Sequence, residues 1–371
     1  MDFALTPAQE DLGALSRQIL TDRVTRERLR DVEAGETRFD PGLWADLAAA
    51  GVLAATLPEA AGGAGLGLLE QCSVLIEIGR TVAPVPYLAS IVLGASAVAT
   101  FGDQDQRERW LVPAAGGELI LAAAVAEEDA DDARAPATTA GKSGDGWVLS
   151  GTKTTVLAGA IADLLFVPAS TPDGPAVFVV APSDPGVSVR PQRVTGGDAT
   201  ALVELTRAVI PDDRMLGSAG AGSEIVDWLV NRATVGLCAL QLGVTERALE
   251  LTAAYARTRE QFGKPIGSFQ AVSQRLADGY IDVEGIRLSL WQAAWLLGDG
   301  RASATEIATA KFWAAEAGHR VAHTALHIHG GVGIDMDGDV HRYFAAAKHN
   351  EFALGGATAQ LRRIGAVLAS S

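Results

Sequence analysis

The sequence predicts an α+β fold in three parts: an N-terminal α-helical domain over residues 1–117, a middle antiparallel β-barrel-like domain over 118–217, and a C-terminal four-helix bundle over 218–371. Three observations lead there. Apolar spacing is helical up to about residue 117, turns strand-like near Glu118, and is helical again from Gly222. The last third consists of long apolar-periodic segments joined by short turns, the pattern of a bundle. The chain has 371 residues, 48% of them hydrophobic, enough for a large core and two or three lobes.

The elements follow in order. Thr6 and Pro7 open a helix, with a capping hydroxyl ahead of proline at the first helical position, and the period continues to about Val32. Leu43 to Leu53 is a second helix, stopped near Pro58. Leu57-Pro-Glu-Ala-Ala-Gly-Gly-Ala-Gly-Leu-Gly67 is glycine-rich but follows no strand, so it is not a dinucleotide fingerprint. Leu68 to Val82 and Val85 to Phe101 are helical, and Arg107 to Pro113 closes the lobe. Leu119 to Val125 reads as a buried strand. Asp129 to Gly144 reads as a polar loop. Gly146 to Lys153 alternates as a strand after a Gly-Asp-Gly turn. Asp163–Pro168, Ala176–Ala181, Val187–Pro191 and Leu202–Val209 are further strands. Gly222 to Arg259, Ser268 to Leu297, Ala302 to His329 and a last pair ending near Leu368 make the bundle.

Composition narrows the function. The formal net charge of −15 argues against nucleic acid or an anionic membrane as partner, since both need clustered Lys and Arg. Cys72 and Cys238 lie in apolar helical surroundings and read as buried thiols of a reducing compartment. The start, Met1 to Pro7, lacks the basic and apolar regions of a signal peptide, and no apolar run reaches the roughly 18 residues of a membrane helix. A cytoplasmic location is expected.

The chemistry concentrates in Tyr255-Ala-Arg-Thr-Arg-Glu-Gln-Phe-Gly-Lys-Pro-Ile-Gly-Ser-Phe-Gln270. A helix runs up to Arg259, then Gly263, Pro265 and Gly267 break it. Arg257, Arg259, Gln261, Phe262 and Lys264 therefore project from one short turn, which suits an anionic ligand with a flat ring. Guanidinium forms paired charge-assisted bonds to phosphate, Gln261 offers an amide, and Phe262 offers a flat face. About sixty residues on stands His327-Ile-His-Gly-Gly-Val-Gly333. Gly330, Gly331 and Gly333 let backbone approach a ligand without a Cβ clash.

These two stretches, in this order and spacing, resemble the flavin-binding signatures of the acyl-CoA dehydrogenase family, and the resemblance runs the length of the chain. It implies the acyl-CoA dehydrogenase fold and FAD as cofactor. The implied cofactor-binding residues are Arg259, Gln261, Phe262, Gln270, His327, Gly330, Gly331 and Gly333, which grip the ADP half of FAD across a subunit interface. His327 falls where many relatives have glutamine, and Gln270 is a family feature that could equally brace the bundle. All six histidines fall between His319 and His349. His319, His323 and His327 share a helical face, but without carboxylate company there no metal is assigned.

The departures from the family are as informative as the matches. Relatives remove an α-proton with a carboxylate while flavin accepts hydride from the β-carbon. Many carry that base in a Tyr-Glu-Gly-Thr-like motif, and here Leu354 occupies the glutamate position. Others carry it on the long helix before the Arg turn, and Asn231 to Gly236 holds no acid. Glu351 and Asp227 read as surface charges, so no catalytic residue is assigned. The flavin-ring contacts depart too: Val125 to Asp131 replaces Thr-Glu-Pro-Gly-x-Gly-Ser-Asp, and Thr154 to Leu157 replaces Trp-Ile-Thr.

The resemblance accounts for this split. Some actinobacterial steroid-degrading members are heterotetramers of unlike chains with two FADs. The sequence is similar to the partner that lacks the base, lending its ADP clasp to FAD whose ring lies in the other chain. The implied partners are an acyl-CoA substrate, a homologous dehydrogenase chain or a second copy of this one, and an electron-transfer acceptor protein. The implied setting is fatty acid or steroid side-chain catabolism. Two alternatives stand beside it: a flavin-dependent monooxygenase or oxidase on the same fold, and a non-catalytic structural homologue.

Overall fold

A computed structural model describes residues 6–130, 132–144, 146–218 and 220–370. The segment 1–5, Asp131, Asp145 at the centre of the Gly-Asp-Gly turn, Ala219 and Ser371 lie outside the described residues.

Helix α1 (Pro7–Arg23) begins as its sequence dictates: the Thr6 hydroxyl accepts from the Gln9 amide, and Gln9 reaches back to the Thr6 N–H. The predicted helix to Val32 is in fact two helices. The chain leaves helical geometry at Val24, and the Thr25 side chain caps α2 (Arg26–Ala34). Helix α3 (Pro41–Ala49) is capped by the Asp40 carboxylate, which also pairs with Arg28. Helix α4 (Leu68–Thr81) leads to a π-helical segment, Leu88–Ala95, then α5 (Ser96–Phe101) and α6 (Gln104–Ala115).

The middle part is an eight-stranded sheet: β1 (Leu121–Ala123), β2 (Thr139–Ser143), β3 (Gly146–Val156), β4 (Leu164–Thr171), β5 (Gly174–Val180), β6 (Val187–Pro191), β7 (Ala201–Pro211) and β8 (Met215–Leu216). Its path is β6-β7-β3-β2-β4-β5-β8, with β1 against β4. Two expectations need correction. The predicted loop Asp129–Gly144 contains β2, which forms a hairpin with β3; only Ala140 of this strand is buried, so its sequence carries no alternation. The sheet is also not wholly antiparallel: β1 runs parallel to β4, and β2 meets β4 in parallel at Thr139 and Ser170. The β2–β3 hairpin supplies the long crossover that a parallel pair requires.

The C-terminal part holds the three long helices and the last pair expected of the bundle: α7 (Gly222–Thr258), α8 (Gln270–Gly298), α9 (Ala304–His329), α10 (Val340–Phe352) and α11 (Ala357–Ser370). Helix α7 crosses α4 at backbone contact. A Cβ on Gly243 would stand 2.0 Å from the Ile76 carbonyl oxygen, and one on Gly79 2.2 Å from that of Leu240. One apolar core therefore runs from Leu47 and Leu75 through Leu229 to Ile286. No helix among the described residues is long and apolar enough to cross a membrane.

Lys311 on α9 is fully buried and donates to the carbonyls of Asn350 and Glu351 at 2.7 and 3.0 Å, tying down the end of α10. Burial pushes its pKa down to about 8. Between that value and the ordinary one near 10.5, the unfolded chain holds the proton that the folded chain releases, so this residue's contribution to stability rises with pH. The stability difference between wild type and Lys311→Met should grow by on the order of 3 kcal/mol between pH 7.5 and pH 11 in urea unfolding. A difference independent of pH would show that the amine titrates normally.

Candidate functional site

Helix α7 ends at Thr258, and Arg259 turns extended. A minimal hairpin follows: β9 (Glu260–Gln261) pairs with β10 (Lys264–Pro265). Its two turn residues, Phe262 and Gly263, have φ of +53° and +74°. Two consecutive left-handed residues make the turn type whose twist matches a tight hairpin. The turn lifts the Phe262 ring to 93% exposure, braced only edge-on by Phe269 at 6.2 Å. Arg257 and Arg259 are exposed, and neither meets a carboxylate among the described residues. In a chain with 45 acids and 30 bases, two exposed guanidiniums two positions apart, with no carboxylate partner among the described residues, are free to meet an anion. Gln261 donates its amide to the Glu260 carbonyl, 2.8 Å away.

The second stretch ends α9. Gly330 takes φ +64°, ψ −140°, a conformation essentially restricted to glycine. A Cβ on Gly330 or Gly331 would meet nothing within 4 Å, so this backbone is open to a ligand. Gly333 differs. It is buried, and a Cβ there would press Leu326 and His329 at 3.1 and 3.2 Å, so its small size serves packing. The two stretches are joined by a contact that sequence reasoning missed: the ring of Tyr255 near the end of α7 stacks on buried His329 at 4.4 Å, and His329 Nδ1 lies 2.8 Å from the Ala325 carbonyl oxygen. His327 and Gln270 are exposed near these two ends.

At the positions of the family's base and ring contacts the chemistry is different. Leu354 adopts φ +56° and packs on the apolar core. Glu351 is not a surface charge: its side chain is 13% exposed and bonds Lys348 at 2.5 Å and His319 at 3.2 Å. The histidine face thus does have a carboxylate, brought from α10, but the Lys348 ammonium lies 3.0 Å from the same His319 Nδ1. No group of three metal-ligating side chains forms among the described residues. Asp227 is an exposed partner of Arg134, as expected.

In the β domain, Thr155 sits at φ +47° with its N–H on Gln192 Oε1 at 2.7 Å, and the Gln192 amide reaches the Thr154 hydroxyl at 3.2 Å. Beneath this strand Lys153 and Glu127 form a buried ion pair at 2.6 Å. A signal for it existed: Leu149 and Lys153 are both fully buried in one strand, and a lysine at an inward position needs an acid. Beyond Leu157 opens a cavity of about 860 Å³, bounded by α2, the Val82–Ala89 segment, residues 191–200 and one face of α10.

A three-part helix–sheet–helix chain, with an exposed Arg turn and an open glycine turn at the far ends of α7 and α9, is the architecture of a flavin-dependent acyl-CoA oxidoreductase class. The family models agree: the N-terminal, middle and C-terminal acyl-CoA dehydrogenase domains match residues 6–118, 122–207 and 220–369. The chain belongs to the acyl-CoA dehydrogenase family, whose cofactor is FAD. It is 50% identical to the acyl-CoA dehydrogenase FadE27 of Mycobacterium tuberculosis, with both chains covered in full. Among solved structures it is similar to a chain of the ChsE4-ChsE5 complex from Mycobacterium tuberculosis, with 50% identity, full coverage of both chains and a TM-score of 0.95. It is also similar to a chain of a Tcur3481-Tcur3483 steroid ACAD variant, with 44% identity, 98% coverage of each chain and a TM-score of 0.91.

Proposed function

We propose that this chain is the base-lacking subunit of a heteromeric acyl-CoA dehydrogenase acting on a bulky acyl-CoA of the steroid side-chain type. The observation that carries the reading is a split within one chain. The clasp is intact, with unpaired Arg257 and Arg259 and open backbone at Gly330 and Gly331. The base position is Leu354, packed on the core. The relatives whose names describe a two-component complex or a steroid ACAD support the same reading.

These residues fit the nucleotide half of FAD: Arg259 and Gln261 would meet the pyrophosphate, Phe262 the adenine end, and Gly330 and Gly331 would allow close backbone approach. FAD, when bound, supplies the hydride acceptor for α,β-dehydrogenation. The homologous partner chain supplies the glutamate that takes the α-proton, and a separate electron-transfer protein takes the electrons. Exposed Tyr280, Ile281, Phe352 and Leu361 give the helical part apolar surface to bury in a tetramer. A cytoplasmic location belongs to this proposal.

Expressed alone, the chain should hold little FAD and oxidise no acyl-CoA. Co-expressed with its base-carrying homologue, it should yield a yellow, active complex with two FADs per tetramer. A yellow, active preparation of this chain by itself would overturn the reading.

A further inference from the structure

The cavity of about 860 Å³ beside β3 and α10 lies within the size range of small-molecule sites, 300–1,000 Å³ in order of magnitude. If FAD is held with its ring in the partner chain, as proposed above, no flavin fills it. We propose that this cavity is a second, non-catalytic binding site for an amphipathic anion: a bulky apolar body bearing one carboxylate-type head.

The body is matched by the walls. Ile78, Leu88, Leu240 and Val244 line the cavity from α4, the π-helical segment and α7. The head is matched by unpartnered basic groups. Of the acids in the lining, Glu33 is taken by Arg342 and Asp198 lies 3.6 Å from His349. Glu36 is exposed at the rim. Arg38 and Arg193 are left without a carboxylate partner among the described residues. Arg38 is half-buried, and its backbone sits at φ +49°, uncommon for a side-chain-bearing residue. Its guanidinium lies against Gly197, where an added Cβ would come within 2.2 Å of Nη1. A partly desolvated guanidinium with no counter-charge seeks an anion.

His341 adds a polar group to the same wall, with Nδ1 buried and without a hydrogen-bond partner. Burial and the neighbouring Arg342 lower its pKa, so it meets a ligand as a neutral imidazole. Glu33 is the one partly buried carboxylate of the lining and is held by Arg342, while Glu36 and Asp198 are exposed, so the inner wall presents no unpaired carboxylate to remove a proton. A bound anion is held there and not converted.

The test is a fluorescence titration of the purified full chain with cis-parinaric acid, an apolar C18 carboxylate that brightens on entering an apolar site. One saturable site per chain is expected. Its Kd should rise about tenfold or more in Arg38→Met and for the methyl ester of the probe. Ala346→Trp, which fills the cavity from α10, should abolish it. Binding of equal strength in Arg38→Met, for the ester, or in folded Ala346→Trp would overturn the proposal as adventitious adsorption. Arg38→Met decides the matter if Ala346→Trp fails to fold. Failure to bind while the co-expressed complex keeps two FADs per tetramer overturns this inference alone. Displacement of the probe by FAD from the isolated chain would overturn both it and the subunit reading.

Discussion

Arg259→Ala in the co-purified complex is expected to strip FAD and, with it, acyl-CoA oxidation. Two charge-assisted bonds from one guanidinium to a pyrophosphate contribute roughly 1.5–3 kcal/mol each, so their joint loss raises the flavin Kd by about 100-fold or more. The ratio of flavin to protein absorbance after gel filtration, and calorimetric titration of FAD into the stripped complex, read this directly. The substitution should leave the unfolding midpoint of the isolated, flavin-free chain unchanged, because Arg259 is exposed and meets no carboxylate among the described residues. Arg259→Lys should fall between the two, keeping the charge and losing the planar fork. If Arg259→Ala retained full flavin and activity, the clasp would not grip the cofactor, and the reading of this chain as a purely structural homologue would replace the present one.

That prediction rests on features visible in the sequence itself. The clasp turn announces itself because Gly263, Pro265 and Gly267 interrupt a long helical period, and Gly330 and Gly331 do the same after α9. Local punctuation of this kind survives in one dimension. The long helices were legible for the same reason, since apolar spacing reports which face of a single element is buried. What stayed hidden is non-local. The Tyr255–His329 stack that joins the two turns links residues far apart in the chain, and neither ring marks its partner. Glu351 reads as a solvated charge because Lys348, three residues before it, suits an exposed helix pair equally well, and His319 comes from another helix. Strand β2 escaped because Thr139, Gly141, Lys142 and Ser143 all face solvent. The cavity is bounded by segments scattered from α2 to α10 and belongs to none of them.

The buried pair beneath the β-domain strand separates fold from function most cleanly. Glu127 accepts from Lys153 at 2.6 Å and from the Thr138 amide at 3.0 Å, with both charged side chains almost wholly out of water. Glu127→Ala abandons a buried ammonium and two backbone donors, Ala137 and Thr138. Removing one partner of a buried pair costs about 3–5 kcal/mol. Pairing it with Lys153→Met removes the stranded charge, so the double variant should unfold at higher denaturant than Glu127→Ala alone, by roughly 2 kcal/mol. The functional consequence is sharper. In relatives this segment covers the flavin ring; here the ring is assigned to the partner chain. Below its lowered unfolding midpoint, the double variant in the complex should therefore keep its FAD and its rate of acyl-CoA oxidation. Loss of flavin from a complex that is still folded would place this segment against the ring, and the division of labour between the two chains would have to be redrawn.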